Sequence, residues 1–422
     1  MIQQIVDLHI HSKYARACSP QLELPNIAKA CEEKGIDIVS TGDFTHPLWF
    51  RHIEENLEEV ENSGLYKLKN STSKTKFILG TEISCIYKHK EKTRRVHLLI
   101  LAPSIALAKE FNARLTAKGA NLSSDGRPIM GLHAKAVLQI MNEIDPGFFM
   151  IPAHAWTPWF AIFGSKSGYD LIEDCFEELS PQIRAIETGL SSDPTMNHRL
   201  SKLDGITMVS NSDAHSLDNL GREANVLTFE KEKDITYKNI IDIIKTGDKQ
   251  RFLYTIEFYP EEGMYHFDGH LDCGVCLTPA ESKKLKNICP VCKRPLTVGV
   301  LHRVDDLADR TEKQIPVVKF IPHKYIVPLR EIIAGVEDVG KKSKRVAKIY
   351  RELINKLGSE FSILLDKSLD EITAASGDKN IALAIGNMRE GKVKVTPGYD
   401  GKYGVVDVLP RGKSGLAQSR LI

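Results

Sequence analysis

Asp7-Leu8-His9-Ile10-His11-Ser12, near the start of a chain of 422 residues, is the stretch from which the rest of the sequence is read. Residues two apart on a strand share a face. His9 and His11 can therefore hold one cation together, with Asp7 next in line as a further donor or as the group that orients them. Taken alone, the pair has a second reading, two histidines satisfied inside a polar core. Recurrence separates the two. Thr41-Gly42-Asp43-Phe44-Thr45-His46 follows the apolar run Ile36–Ser40. Gly80-Thr81-Glu82 follows the next run, and His97 lies inside Val96–Leu101. Ile151-Pro152-Ala153-His154 closes another, and Asn211-Ser212-Asp213-Ala214-His215 follows Thr207–Ser210.

Amphipathic stretches at Leu24–Lys34, Ala134–Ile144 and Gly168–Leu179 separate these runs, while Gly247–Tyr259 reads as an exit segment. Repeated βα units predict an α/β fold with a largely parallel sheet, open or closed into a barrel. In such folds active sites collect at the carboxyl ends of the strands, so these side chains should converge. Burying that many ionisable groups without a partner is costly, and divalent metals are the natural partner. Mixed nitrogen and oxygen donors suit Zn, Mn or Fe better than Mg or Ca.

Over about residues 1–230 this series resembles the PHP (polymerase and histidinol phosphatase) superfamily of phosphoesterases. The resemblance implies a distorted (βα)7 barrel with two or three divalent metals, drawn from Zn, Mn, Mg or Fe. It implies His9, His11, Asp43, Glu82, His97, His154, Asp213 and His215 as ligands, with His9 and Asp213 at the chemistry. There is one departure. Many members place another His or acid where this chain has Lys13-Tyr14-Ala15-Arg16-Ala17-Cys18. A third metal position is then incomplete, or borrows His46 or Glu187. Arg16 either holds a substrate phosphate or pairs with a surface acid. Asp193, in Glu187-Thr188-Gly189-Leu190-Ser191-Ser192-Asp193-Pro194, either accepts a proton in catalysis or caps the helix that follows. Trp156, Trp159 and Phe160, just after His154, either stack on a substrate or fill the core.

Cys273-Gly274-Val275-Cys276 and Cys289-Pro290-Val291-Cys292 form two knuckles twelve residues apart, the spacing of a closed structural zinc site with four thiolates. Cys18, Cys31, Cys85 and Cys175 are scattered, as small buried hydrophobes are. Residues 1–260 carry 30 Lys+Arg against 34 Asp+Glu, whereas 301–422 carry 22 against 16. An acidic metal-binding part joined to a basic part suits a polyanionic partner. Val339–Arg351, with Lys341 and Lys342 at its start, and Ser376–Lys392 read as turn-then-helix units. Their lysines either meet DNA phosphates or simply solvate a helix face. Val393–Tyr403 mixes tyrosines with lysines, for stacking on bases or for an ordinary hairpin.

These features divide the chain into a phosphoesterase barrel (1–260), a four-cysteine zinc domain (261–300) and a basic, mainly helical domain (301–422). That order, with the blocks Thr41–Pro47, Glu187–Pro194 and Phe320–Lys324, resembles the endonuclease Q branch of the superfamily. The resemblance implies DNA carrying deaminated bases (uracil, hypoxanthine, xanthine) or abasic sites as partner, cleaved on the 5′ side of the lesion during repair. The rivals are a small-molecule phosphatase of the histidinol phosphate or nucleotide type, and a catalytically inactive DNA-binding accessory protein. No apolar run approaches the length of a membrane helix and the N-terminus lacks the pattern of a secretory signal. The expected setting is cytoplasmic, at the nucleoid. Arg411–Ser419 is small and polar. Gln418-Ser419-Arg420-Leu421 has part of the spacing of a sliding-clamp peptide but not its aromatic pair.

Overall fold

Leu24–Lys34 is helical over the span its periodicity predicts, with Pro25 in the first turn and Gly35 ending it in the left-handed region (φ 87°). Ala134–Ile144 forms the second expected helix. Ile27, Ala28 and Cys31 on one, and Val137, Leu138 and Met141 on the other, are buried, the stripes expected of helices lying on a sheet. The computed structural model describes residues 1–409. The polar tail and the Gln418–Leu421 spacing lie outside the described residues.

The fold is mixed α/β, and the sheet is not largely parallel. Ile2–Asp7 runs parallel to Ile38–Ser40, which runs parallel to the start of Lys76–His89. Most other neighbours are antiparallel: Ala224–Phe229 on the first strand, Lys92–Ala102 on Lys76–His89, and Phe149–Pro152 on Lys92–Ala102. The cause is a long hairpin. Lys90 and Glu91 both take positive φ (47° and 62°), the two-residue turn that matches strand twist and reverses the chain. The run Phe77–Leu79 hides the length of this strand, because Thr81, Glu82 and Ser84 interrupt its hydrophobicity. Two reversals return Phe149–Pro152 to the direction of Ile2–Asp7. Ala185–Glu187 and Thr207–Val209 pair separately, in parallel.

Two other expectations change. Gly247–Tyr259 contains a strand, Phe252–Glu257, antiparallel to Ala224–Phe229 and parallel to His323–Tyr325, so the C-terminal section adds to the edge of the main sheet. Gly168–Leu179 holds only a short helix, Ile172–Phe176, broken at Glu177 (φ 50°) before a 3-10 turn containing Pro181.

Beyond the sheet, Asp268–His270 and Val275–Leu277 form a hairpin carrying the first cysteine knuckle. The helix Val300–Leu307 is stapled to the preceding α/β section. Arg303 donates to the Phe163 carbonyl (2.9 Å), and Arg199 pairs with Asp305 (2.7 Å). The remaining section packs the helices Leu329–Glu337, Lys344–Leu357, Leu369–Ser376 and Lys379–Arg389, then the hairpin Lys394–Thr396/Val405–Asp407. Among the described residues, no helix is long and apolar enough to cross a membrane.

Candidate metal centre

His9 and His11 lie just past the end of the first strand. Their segment is held in line by Leu8 N–H donating to Asn211 Oδ1 (2.9 Å) and by His11 N–H donating to the Ala214 carbonyl (3.1 Å). The spacing of two still puts both rings into one site. Glu82 projects from the middle of Lys76–His89, opposite Leu99, and His97 from the adjacent strand, opposite Ser84. His154 follows Phe149–Pro152, and Asp213 follows Thr207–Val209. Asp43, His154 and Asp213 all sit at positive φ (46°, 29° and 45°). Such backbone is costly for non-glycine residues and clusters at functional sites.

The donors form two groups that share Glu82. His9, His11, Glu82 and Asp213 offer atoms lying within 4.8 Å of one another, and so do Glu82, His97 and His154. In the first, His11 Nε2 is 3.3 Å from Glu82 Oε2 and 3.1 Å from Asp213 Oδ1. In the second, His97 Nδ1 and His154 Nε2 lie 2.7 and 3.0 Å from Glu82 Oε1. Donors around a tetrahedral ion with bonds of ~2.1 Å stand roughly 3.4 Å apart, so the spacing fits.

The outward-facing ring nitrogens are committed elsewhere. His11 Nδ1 donates to Asp43 Oδ1 (2.9 Å), and His9 Nδ1 to Glu187 Oε1 (3.0 Å). Carboxylates in those places fix the tautomer and aim the other nitrogen inward. Nε2 of His9, Nε2 of His11 and Oδ1 of Asp213 are buried and lack a hydrogen-bond partner. Buried polar atoms normally have one, so three convergent orphans fit a shared divalent cation. Burial pushes the Glu82 carboxyl up. His97, Arg127 and the hydrogen bonds of His11 and His154 outweigh that and hold it well below the usual range. Burial lowers His97 to about 4, keeping it a neutral donor.

Several expected ligands sit differently. Asp43 spends Oδ2 on Ser12 N–H and Oγ–H (2.6 Å each), so it backs His11 and does not join the donor groups. His215 lies beside His11 (ring centroids 4.7 Å) with Nδ1 on the Asp213 carbonyl, outside both groups. Asp7 accepts from the backbone of Ser212 and Gly221 and clamps the loop after Val209. Glu187 also accepts from Asn211 Nδ2 and His154 N–H, tying three strand ends together. His46 is buried against Tyr14, and Arg16 is exposed on the neighbouring loop. Asp193 caps the turn at Pro194 through Met196 N–H (2.7 Å) and accepts from the Tyr325 hydroxyl (2.6 Å). Trp156 is core, its Nε1 on Asn197. Trp159 is exposed and meets the edge of Tyr265.

The cysteine cluster is also rearranged. His270, Cys273, Cys289 and Cys292 form the close group, and Cys276 lies outside it. Cys276 sits on the hairpin opposite Gly269, so the strand carries it away from the knuckle.

The whole chain has relatives. The MJ0043 C-terminal domain family matches residues 328–392. MJ0043 of Methanocaldococcus jannaschii is 31% identical over 61% of this chain, which spans about a third (32%) of that protein. YqxK of Bacillus subtilis is 29% identical over 95% of this chain and 98% of its own length. The crystal structure of a lesion-specific endonuclease from Pyrococcus furiosus, PfuEndoQ, superposes with a TM-score of 0.84 at 30% identity, covering 97% of this chain and 98% of that one. The chain belongs to the endonuclease Q family. A second endonuclease Q structure, bound to a 27-mer duplex with an abasic lesion at its active site, superposes equally well (TM-score 0.84).

Within this endonuclease Q fold, the residues that sequence reading missed are Arg127, Asn211, Asn225 and His270. Asn225 Nδ2 reaches Asn211 Oδ1 (2.9 Å), completing a buried amide bridge under the histidines. Arg127 Nη1 donates to Glu82 Oε2 (3.0 Å) from a loop with no motif of its own. His270 carried one signal, its position three residues before Cys273.

Proposed function

We propose that this chain is a metal-dependent DNA endonuclease that hydrolyses the phosphodiester 5′ to a deaminated base (uracil, hypoxanthine or xanthine) or an abasic site, in DNA repair. The observation that carries the reading is a pair of donor groups sharing one buried carboxylate, in a chain that follows PfuEndoQ over 97% of its length. His9, His11, Glu82 and Asp213 would hold one divalent ion and Glu82, His97 and His154 a second, in a distorted (βα)7 barrel spanning residues 1–260. Such ions, of Zn, Mn, Fe or Mg, supply Lewis acidity toward the scissile phosphate and make water nucleophilic at neutral pH. The chain's own residues set that stage. Asp43 and Glu187 keep the protons of His11 and His9 on Nδ1, and the Asn211 bridge holds the strand ends in register.

Residues 261–300 are proposed as a structural zinc element held by His270, Cys273, Cys289 and Cys292. Residues 301–422 are proposed as the DNA-binding part, in which Lys341 is paired with Glu331 and Lys342 is exposed. A cavity of about 440 Å³ beside Tyr259, His323 and Tyr325 opens where the barrel edge meets the helix Lys379–Arg389, and its paired tyrosine rings (centroids 4.8 Å) offer a face for an extruded base. Asp193 is a candidate proton acceptor. Asn caps helices as well as Asp, so Asp193→Asn tests chemistry apart from capping: lost cutting at an unchanged melting temperature supports the catalytic role.

The decisive assay offers labelled duplexes with uracil, hypoxanthine or an abasic site, with Mn or Mg, beside a small phosphomonoester. Cutting 5′ to the lesion is expected. Hydrolysis of the phosphomonoester alone would indicate a phosphatase, and binding without cutting an inactive accessory protein.

A further inference from the structure

We propose that Arg127 binds a non-bridging oxygen of the scissile phosphate and so orients the substrate at the metal centre. The inference rests on the endonuclease reading above. Three observations carry it: where the guanidinium sits, how firmly it is placed, and what it leaves unspent.

Its position is at the junction of the site. Nη1 touches Oε2 of Glu82, the carboxylate common to both donor groups. A phosphate held between those groups therefore lies within reach of the same side chain.

Its backbone is pinned. Gly126 N–H donates to the Tyr14 carbonyl (3.0 Å), and Ser84 N–H to the Pro128 carbonyl (3.0 Å). Asp125 Oδ1 accepts from the backbone of Arg127 (3.0 Å) and of Arg16 (3.2 Å). A Cβ on Gly126 would lie 2.4 Å from Asp43 Oδ2, so only glycine lets this loop press against the carboxylate that backs His11. The loop is thus built onto the metal centre itself.

Its donors are mostly free. Among the described residues the guanidinium makes this one hydrogen bond, and 24% of the side chain is open to solvent. Two other arginines behave differently. Arg303 spends its guanidinium on the Phe163 and Tyr169 carbonyls, and Arg389 on those of Ile363 and Leu364. Those two are structural, each guanidinium held by two backbone carbonyls. Among the described residues, Arg127 keeps partly exposed N–H groups without a protein partner beside the metal centre, and a planar guanidinium fork matches two oxygens of a phosphate.

The test pairs a variant with a substrate change. Duplexes carrying a lesion are prepared with each stereoisomer of a methylphosphonate at the scissile position, which removes one non-bridging oxygen at a time. Arg127→Gln should lower single-turnover cleavage of the ordinary duplex on the order of 100-fold, the loss seen when one preorganised anion donor is removed. Its metal content should equal that of the wild type. For one stereoisomer the wild type should lose a similar factor, and Arg127→Gln should lose nothing more, because the contact is already gone. Arg127→Lys should recover part of the rate. Additive losses for both stereoisomers, or a fall in bound metal that accounts for the lost rate, would overturn the proposal and leave Arg127 as a partner of Glu82 alone. A wild type that cuts no lesion duplex at all would instead refute the endonuclease reading.

Discussion

The donor groups at the strand ends and the cysteine cluster each bring side chains within reach of a shared ion, and they do so in opposite ways. At the strand ends, His9 and Asp213 come from segments some two hundred residues apart, and His9 and His11 are each backed by a buried carboxylate. In the cysteine cluster, His270 to Cys292 lie close in sequence, and all four positions are protein side chains. The first arrangement invests in aim: Asp43 and Glu187 fix the tautomers, and Arg127 stays open at the rim. The second invests in closure. A site meant to act on a substrate needs a rigid backing layer and free positions, whereas one meant to hold a small element together needs only its ligands.

That contrast can be broken at several points. Glu82→Gln strikes both donor groups at once. Losing several kcal/mol of charge stabilisation predicts about a 1,000-fold drop in cleavage, measured under single-turnover conditions. A drop of less than tenfold would mean that the two groups do not share it. His270→Ala should release zinc and lower the melting temperature, while Cys276→Ser should retain zinc and change stability by no more than about 0.5 kcal/mol. Zinc loss in Cys276→Ser with retention in His270→Ala would restore the four-thiolate arrangement. Asp43→Asn and Glu187→Gln, which keep the shape but lose the charge behind the imidazoles, should each cost about 10- to 100-fold in metal affinity or activity, read by metal titration and cleavage rate. The same substitutions leave the cysteine cluster untouched, so unchanged zinc there is the internal control. The smallest effect is expected at the basic helix. Lys342→Ala should weaken binding evenly across DNA sequences and reduce the salt dependence of log K by about one.

Much of this was legible before any coordinates. The helices Leu24–Lys34 and Ala134–Ile144 follow from periodicity, and the histidines and acids after successive apolar runs do converge. What sequence could not settle is which donor faces inward. Asp43 and Glu82 look alike as acids at strand ends, yet the turn at Gly42–Asp43 points one carboxylate at His11 Nδ1 and Ser12, while the strand's alternation points the other into the site. The sheet's mixed direction was hidden because the Lys76–Ala102 hairpin carries polar residues exactly where it lines the site, so it does not read as one long strand. Cys276 matches a familiar spacing, but it stands opposite Gly269 on the hairpin and outside the close group of His270, Cys273, Cys289 and Cys292. Arg127 had no spacing to reveal it, since its value lies in a loop folded back onto Asp43.

The account stands on cations shared among side chains from distant strand ends. Anomalous diffraction from crystals loaded with Mn or Zn tests it most directly. The predicted result is peaks within bonding distance of His9, His11, Glu82 and Asp213, and of Glu82, His97 and His154, with Asp43 and Glu187 standing behind the histidines. Metal-loaded crystals with no peak at either group, from protein that still cuts lesion duplexes, would contradict it.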